Sequence, residues 1–329
     1  MKIILEKLYN HQNLSESEAY DILFRITRGE YNSSQIASFL TVFLMRPVCV
    51  EELTGFRNSL LDQCIKIDFG DLDSIDVCGT GGDSKNTFNI STITAFVLAG
   101  SGIKVTKHGN YGVSSLSGSS NVMEYFGYEF TTVESKLQKQ LDTANICFLH
   151  APLFHPAMKS VAQIRKELGV KTFFNMLGPL VNPANPKYQL TGVFNLELAR
   201  LYQYLLQQTE KNFRIIHSLD GYDEVSLTGQ FKMLSPDNEQ LLDAAHFGTS
   251  NTTASELFGG NSLEESAHIF IQILQANGTK AQREVVYANS ALAIQCIIPN
   301  LSINEAKRMA EDSIHSGKAL KSFKKLITA

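Results

Sequence analysis

The chain has 329 residues, 43% hydrophobic and 19% charged, enough to bury a sizeable core in one large domain or two unequal ones. Its 29 basic and 33 acidic residues leave a formal charge of -4, which argues against the broad basic field that binds nucleic-acid phosphates. The five cysteines, Cys49, Cys64, Cys78, Cys147 and Cys296, form no CxxC pair or metal-ligand spacing, and no run of about 18 apolar residues occurs, so free thiols, a cytoplasmic location and no membrane span are expected.

The start, MKIILEKLYN, breaks its apolar run at Glu6 and Lys7, too early for a signal-peptide core. From there to about Ile67 apolar residues fall at helical spacing, as in Ile22, Leu23 and Ile26, then Leu53, Phe56, Leu60 and Leu61. Ser15 followed by Glu18 predicts a capping box, and Gly29 a helix end. After Ile67 short apolar strands (IDVCG, IKVTK, ICFLH, FRIIHSL) alternate with helical segments such as SKLQKQLDTA and LELARLYQYLLQQ. This alternation predicts an α/β region, most economically a parallel sheet covered by helices.

Four segments carry candidate chemistry. The first, DVCGTGGDSKNTFNIST (76–92), places Gly79, Gly81 and Gly82 after a strand and before a helix expected near Ser91. Glycines let a backbone approach an anion closely, and helix-start N–H groups point outward unpaired. The loop matches neither phosphate fingerprint: Ser84 replaces the third dinucleotide glycine, and Lys85 is followed by Asn86 rather than Ser or Thr. Alone it reads as a surface turn. The second, KHGNYGVSSLSGSSN (107–121), again follows a strand with glycines, a cation, amides and serines. Two such loops at successive strand ends would meet at the carboxyl edge of a parallel sheet, where open α/β sheets bind ligands. The third carries His155, Arg165 and Asn175. In the fourth, LDGYDEV, Asp223 and Glu224 follow a strand and a glycine turn; beside a polyphosphate such a pair is a ready site for Mg²⁺.

Read together, GTGGD, TFNIST, KHGN, HPAMK, LGVKTFFNMLGPLVNP, the DE pair and SGKAL resemble, in order and along nearly the whole chain, the anthranilate phosphoribosyltransferases of tryptophan synthesis. The resemblance implies a small all-helical dimerisation domain (1–67 with a returning segment at about 165–187) and a large α/β domain (68–164 and 188–329) that binds phosphoribosyl pyrophosphate. It further implies a homodimer joined through the helical domains, a cleft between the domains, and a pentosyl transfer onto the amine of anthranilate. Carried over by position, Gly79, Gly82, Asp83, Thr87, Asn89, Ile90, Ser91 and Thr92 would hold the pyrophosphate donor. Lys107, His108, Gly109, Asn110, Tyr111, Gly112, Val113, Ser114, Ser115 and Ser119 would complete that grip. Gly79, Asn110 and Arg165 would contact anthranilate, and Ser91, Asp223 and Glu224 would hold two Mg²⁺ ions. No residue is marked as a general base; His108 is a candidate.

The sequence departs from the family pattern at four places: Ser120 and Asn121 replace Ala and Asp, His150 a common Phe, and Lys171 a common Arg. The alternatives are a pyrimidine nucleoside phosphorylase of the same architecture, or a non-catalytic relative that binds nucleic acid. The charge of -4 and the acidic pair weigh against both.

Overall fold

At the start of the second helix Ser15 and Glu18 exchange hydrogen bonds as a capping box, and Gly29 follows its end at φ 75°, as the spacing predicts. The structure, a computed structural model, describes residues 1–112 and 117–329. Four helices open the chain: α1 (Lys2–Tyr9), α2 (Glu16–Thr27), α3 (Ser33–Met45) and α4 (Val50–Gln63). Their apolar faces share one buried cluster, which includes Leu23, Ile26, Phe39, Leu53 and Phe56.

Strands and helices then alternate. β1 (Ser74–Gly79), α5 (Ile90–Gly100), β2 (Lys104–Gly109), α6 (Ser119–Tyr125), α7 (Glu134–Ala144) and β3 (Ile146–His150) form the first half. α8 (Ala151–Phe154) and α9 (Lys159–Leu168) lead to β4 (Tyr188–Gly192), α10 (Leu196–Gln207), β5 (Asn212–Ser218), β6 (Phe231–Leu234) and β7 (Glu239–Leu242). α11 (Leu263–Leu274), α12 (Lys280–Ile297), α13 (Ile303–His315) and α14 (Lys318–Ile327) close the chain.

Among the described residues the sheet has seven strands in the order β3-β2-β1-β4-β5-β6-β7. β1 to β5 are parallel, as the alternation predicts, while β6 and β7 add an antiparallel edge. Neither that edge nor β4 is legible in the sequence. β6 and β7 have 4 residues each, too few to display a period. β4 reads YQLTG, and its buried Gln189 donates to the carbonyl of Pro179 and to Thr191 Oγ1, which removes the penalty of burying an amide. The chain winds from β1 towards β3, then returns to β4 on the other side of β1, so the switch point lies between β1 and β4.

One face of the sheet carries the main core, built from α5, α12, α13 and α14. On the other face α10 lies between β5 and α4. α9 packs on α2 and α3, and Phe173 stacks on Phe56 at 4.3 Å while meeting Phe39 and Phe43 edge-on. A stretch far along the chain thereby completes the helical layer.

That layer is pinned by Glu52, which is fully buried and accepts from the N–H of Leu14, the N–H of Cys49 and both terminal nitrogens of Arg46. Burial alone would raise its carboxyl, but these donors hold it below the usual range. Replacing Glu52 by Ala strands Arg46 and two backbone donors. A loss of about 2–4 kcal/mol in unfolding free energy is expected, read as a lower urea midpoint with unchanged slope; a midpoint within error of wild type would refute the clamp.

Candidate active site

The carboxyl ends of β1 and β2 open onto a cleft of about 420 Å³. β1 ends at Gly79, in register with Gly192 at the end of β4. A side chain at Gly79 would start 2.5 Å from Asp223 Oδ2, and one at Gly192 only 1.4 Å from the Asp223 carbonyl. Both glycines therefore serve close approach: they let the loop after β5 lie across the ends of two neighbouring strands. Beyond Gly79 the chain turns through left-handed Gly81, Gly82 and Ser84, at φ 63°, 80° and 61°. It then enters α5 with Asn89 as the N-cap residue, which makes no side-chain cap bond; Ile90 N–H donates to the Phe88 carbonyl, and the N–H groups of Ser91 and Thr92 stay available.

Every described residue of the sequence assignment lines this one cleft. From the first loop come Gly79, Gly82, Asp83, Thr87, Asn89, Ile90, Ser91 and Thr92; from the second, Lys107 to Gly112 and Ser119; from α9, Arg165; and from the loop after β5, Asp223 and Glu224. Val113, Ser114 and Ser115 lie outside the described residues. The cleft also takes in Thr80, Lys85, His155, Lys159, Asn175 and the 177–179 turn, to which the sequence reading gave no role. The sequence singles out His155 and Asn175 in the third candidate segment, and the motifs HPAMK and LGVKTFFNMLGPLVNP contain Lys159 and the turn.

Polar atoms in this cleft are conspicuously short of partners. Among the described residues Thr80 Oγ1, Asn89 Oδ1, His108 Nε2, Ser117 Oγ and His155 Nδ1 are buried with no hydrogen bond. Buried polar groups in native proteins are nearly always paired, so this concentration points to a polar ligand. His108 donates Nδ1–H to the carbonyl of Gly178, and His155 donates Nε2–H to that of Val181. Burial lowers their pKa values to about 3 and about 4; both rings are neutral and turn a bare nitrogen away from the backbone.

The acidic loop sets the electrostatics. Asp223 Oδ2 accepts from the N–H of Gly81 at 2.7 Å. Burial, then the charge of Asp83, pushes its carboxyl up to about 7. Burial and Asp223 raise Glu224 well above the ordinary value, against the opposing pull of Lys107 and the Ser91 hydroxyl. Lys107 does not reach out freely to a ligand: its ammonium is buried beneath the loop and donates to the Val77 carbonyl at 2.6 Å. Among the described residues no three His, Cys, Asp or Glu side chains form a metal cage. Two carboxylates short of positive charge, with the Ser91 hydroxyl beside one, suit Mg²⁺ bound jointly with substrate oxygens.

Arg165 lies over the Phe174 ring at 5.2 Å and donates to Asn175 Oδ1 at 3.3 Å, an aromatic and cationic wall facing the glycine loop. The four departures also find partners. Ser120 Oγ and His150 Nδ1 bond each other at 2.9 Å, and His150 keeps an aromatic stack on Phe130 at 4.2 Å, so two departures make one contact. Asn121 Oδ1 accepts from Gly112 N and Gly118 N, both at 3.0 Å, the helix-start task a carboxylate would perform. Lys171 donates to the carbonyl of Gly82.

Comparison with known proteins now decides the family. Residues 2–64 match the glycosyl transferase family helical bundle domain and residues 71–320 the glycosyl transferase family a/b domain. The chain is 56% identical over 326 residues to anthranilate phosphoribosyltransferase of Christiangramia forsetii, covering 99% of this chain and 98% of that one. This chain belongs to the anthranilate phosphoribosyltransferase family. The family member from Cytophaga hutchinsonii is 51% identical, with 99% and 100% covered. Among solved structures, the Thermus thermophilus enzyme superposes with a TM-score of 0.92 at 27% identity, covering 98% of each chain. The Saccharomyces cerevisiae enzyme, solved in complex with PRPP and Mg, gives 0.90 at 28%, covering 98% and 96%.

The Asp223 carboxyl carries a pH signature. Its folded pKa of about 7 exceeds the ordinary 3.8, so the unfolded chain releases the proton first and ligand-free stability falls as pH rises between those values. Asp223→Asn removes this loss. The variant should melt about 2 °C or more above wild type at pH 8, and the two should converge near pH 4. Equal melting at pH 8 would mean that the carboxylate is not buried against its charge.

Proposed function

We propose that this chain transfers the phosphoribosyl group of 5-phosphoribosyl 1-pyrophosphate to the amine of anthranilate, giving N-(5-phosphoribosyl)anthranilate and pyrophosphate, the second step of tryptophan synthesis from chorismate. The observation that carries the reading is the convergence of both glycine loops, Arg165 and the acidic pair on one cleft in a chain related over its whole length to enzymes of that name. Free N–H groups of the first loop and of the α5 start meet the pyrophosphate. The described residues of the second loop, from His108 to Gly112 with Ser119, meet the ribose phosphate end of the donor. Mg²⁺, two ions in this reading, supplies neutralisation of the charge that grows on the leaving group. Asp223, Glu224 and Ser91 hold the metal, and Lys107 balances Glu224 from below.

Arg165 takes the anthranilate carboxylate, with Gly79 and Asn110 beside it. The amine then faces a ribosyl centre of oxocarbenium character, and mutual positioning supplies much of the rate. His108 is the candidate proton acceptor: its neutral ring has spent Nδ1–H on Gly178 and keeps the Nε2 lone pair. A pKa of about 3 makes it a weak base, matched to the acidic arylammonium it would relieve.

The division into a helical domain (1–67 with 165–187) and an α/β domain is part of the same reading, supported by the packing of α9 and Phe173 on α2, α3 and α4, although the apolar cluster of these helices runs on into α10 and β5. A homodimer through the helical layer is supported by exposed Ile3, Tyr9, Leu44 and Met45, the last 84% exposed. A groove of about 270 Å³ lies there between the end of α3 and the start of α10. Among the described residues no helix is long and apolar enough to cross a membrane. With unpaired cysteines, this suits a cytoplasmic location.

Anthranilate fluorescence should fall only with donor and Mg²⁺ both present, with one pyrophosphate released per anthranilate consumed. Phosphorolysis of thymidine or uridine with anthranilate ignored would instead establish the nucleoside phosphorylase. Arg165→Ala should raise the KM for anthranilate by about tenfold or more and leave that for the donor near wild type. Equal effects on both substrates would remove Arg165 from the acceptor site.

A further inference from the structure

Lys171 touches the cleft from outside. It follows α9 in the chain, six residues beyond Arg165, and is exposed; the residues lining the cleft include Gly82, Asp83 and Lys85 but not Lys171. Its ammonium nevertheless crosses to the first loop, donating to the Gly82 carbonyl at 2.5 Å and to Ser84 Oγ at 3.3 Å. The side-chain stem lies along Gly82: its last three atoms would be 3.7 Å from a Cβ there.

A peptide unit is planar and trans, so the Gly82 carbonyl and the Asp83 N–H point in opposite directions. A cation that holds the carbonyl on the outer side therefore turns the Asp83 N–H towards the cleft. Among the described residues no acceptor takes the N–H of Gly82, Asp83 or Ser84; Gly82 adopts its φ of 80° freely, but Ser84 at φ 61° holds a left-handed conformation that a residue with a side chain adopts at a cost. Successive free N–H groups in such a turn form a concavity for anions.

We propose that Lys171 is a positioning residue for the pyrophosphate loop: it fixes the Gly82–Asp83 peptide so that the loop's free donors face the donor substrate. In doing so it ties that loop to the chain segment that presents Arg165 to the acceptor. The inference rests on the reaction proposed above. Its chemistry requires a cationic side chain long enough to reach a carbonyl, so Arg can replace Lys while an isosteric apolar chain cannot.

Wild type, Lys171→Met and Lys171→Arg are assayed side by side by anthranilate fluorescence, with melting temperatures measured on the same samples. Lys171→Met should raise the KM for phosphoribosyl pyrophosphate by about fivefold, the scale of one exposed charge-assisted hydrogen bond. The KM for anthranilate measured at saturating donor should stay near wild type. Lys171→Arg should restore the donor KM, and all three proteins should melt together. If wild type turns over and Lys171→Met has the same donor KM, or if the Met and Arg variants are equally impaired, the positioning role is refuted. A fall in melting temperature with both KM values raised together would refute it in favour of a structural role. Failure of wild type itself to consume anthranilate would refute the proposed reaction instead.

Discussion

The placement of Asp223 governs the rest of the cleft. Its carboxylate and its own backbone lie across the ends of β1 and β4: a Cβ at position 192 would run into its carbonyl, one at position 79 would displace its carboxylate, and its Oδ2 takes the N–H of Gly81. Three constraints meet there: a parallel sheet that reverses its winding between those strands, a glycine turn that must leave β1 at once, and a buried negative charge. Sheets bind ligands at such a switch point because neighbouring loops diverge and leave a crevice. Here the crevice is filled on one side by an acidic loop whose charge the protein only partly compensates. The raised carboxyls of Asp223 and Glu224 are the energetic mark of an acidic pair buried with less positive charge around it than it needs.

Positive charge is distributed with equal economy. Lys107 is committed beneath the loop to Val77 and Glu224. Lys85 lies over the Tyr222 ring at 4.7 Å, next to the acidic pair. Arg165 stands across the cleft on Phe174. Lys171 stays outside on the Gly82 carbonyl. Lys159 also lines the cleft, and the free backbone N–H groups of the glycine turn add fixed donors, which need no reorganisation when charge develops.

The helical layer gives this cleft its second wall. Phe173 from the chain between α9 and β4 stacks into the aromatic cluster of α3 and α4, and Arg57 of α4 donates to the Leu180 carbonyl. The carbonyl of Gly178 lies between those two anchors and that of Val181 directly after the second, and they fix the tautomers of His108 and His155. Packing far from the chemistry therefore decides which ring nitrogen faces the substrates.

The sequence by itself determined what depends on near neighbours along the chain. The capping box at Ser15, the change from helical spacing to strand–helix alternation near Ile67, the glycine turn before α5 and the ordered motifs of the family were all legible, and they named most of the residues around the cleft. Tertiary structure alone decided contacts between distant positions. Gly79 and Gly192 are glycines because of Asp223, more than 100 residues from the first and about 30 from the second. Ser120 and His150 are departures that make sense only as a pair. Strand β4 conceals its burial behind Gln189 and Thr191, whose partners lie on another segment as well as each other. The physical reason is the same in each case: periodicity and capping are set by bonds within a few residues, whereas steric exclusion and the satisfaction of a buried polar atom are set by whatever the fold brings alongside.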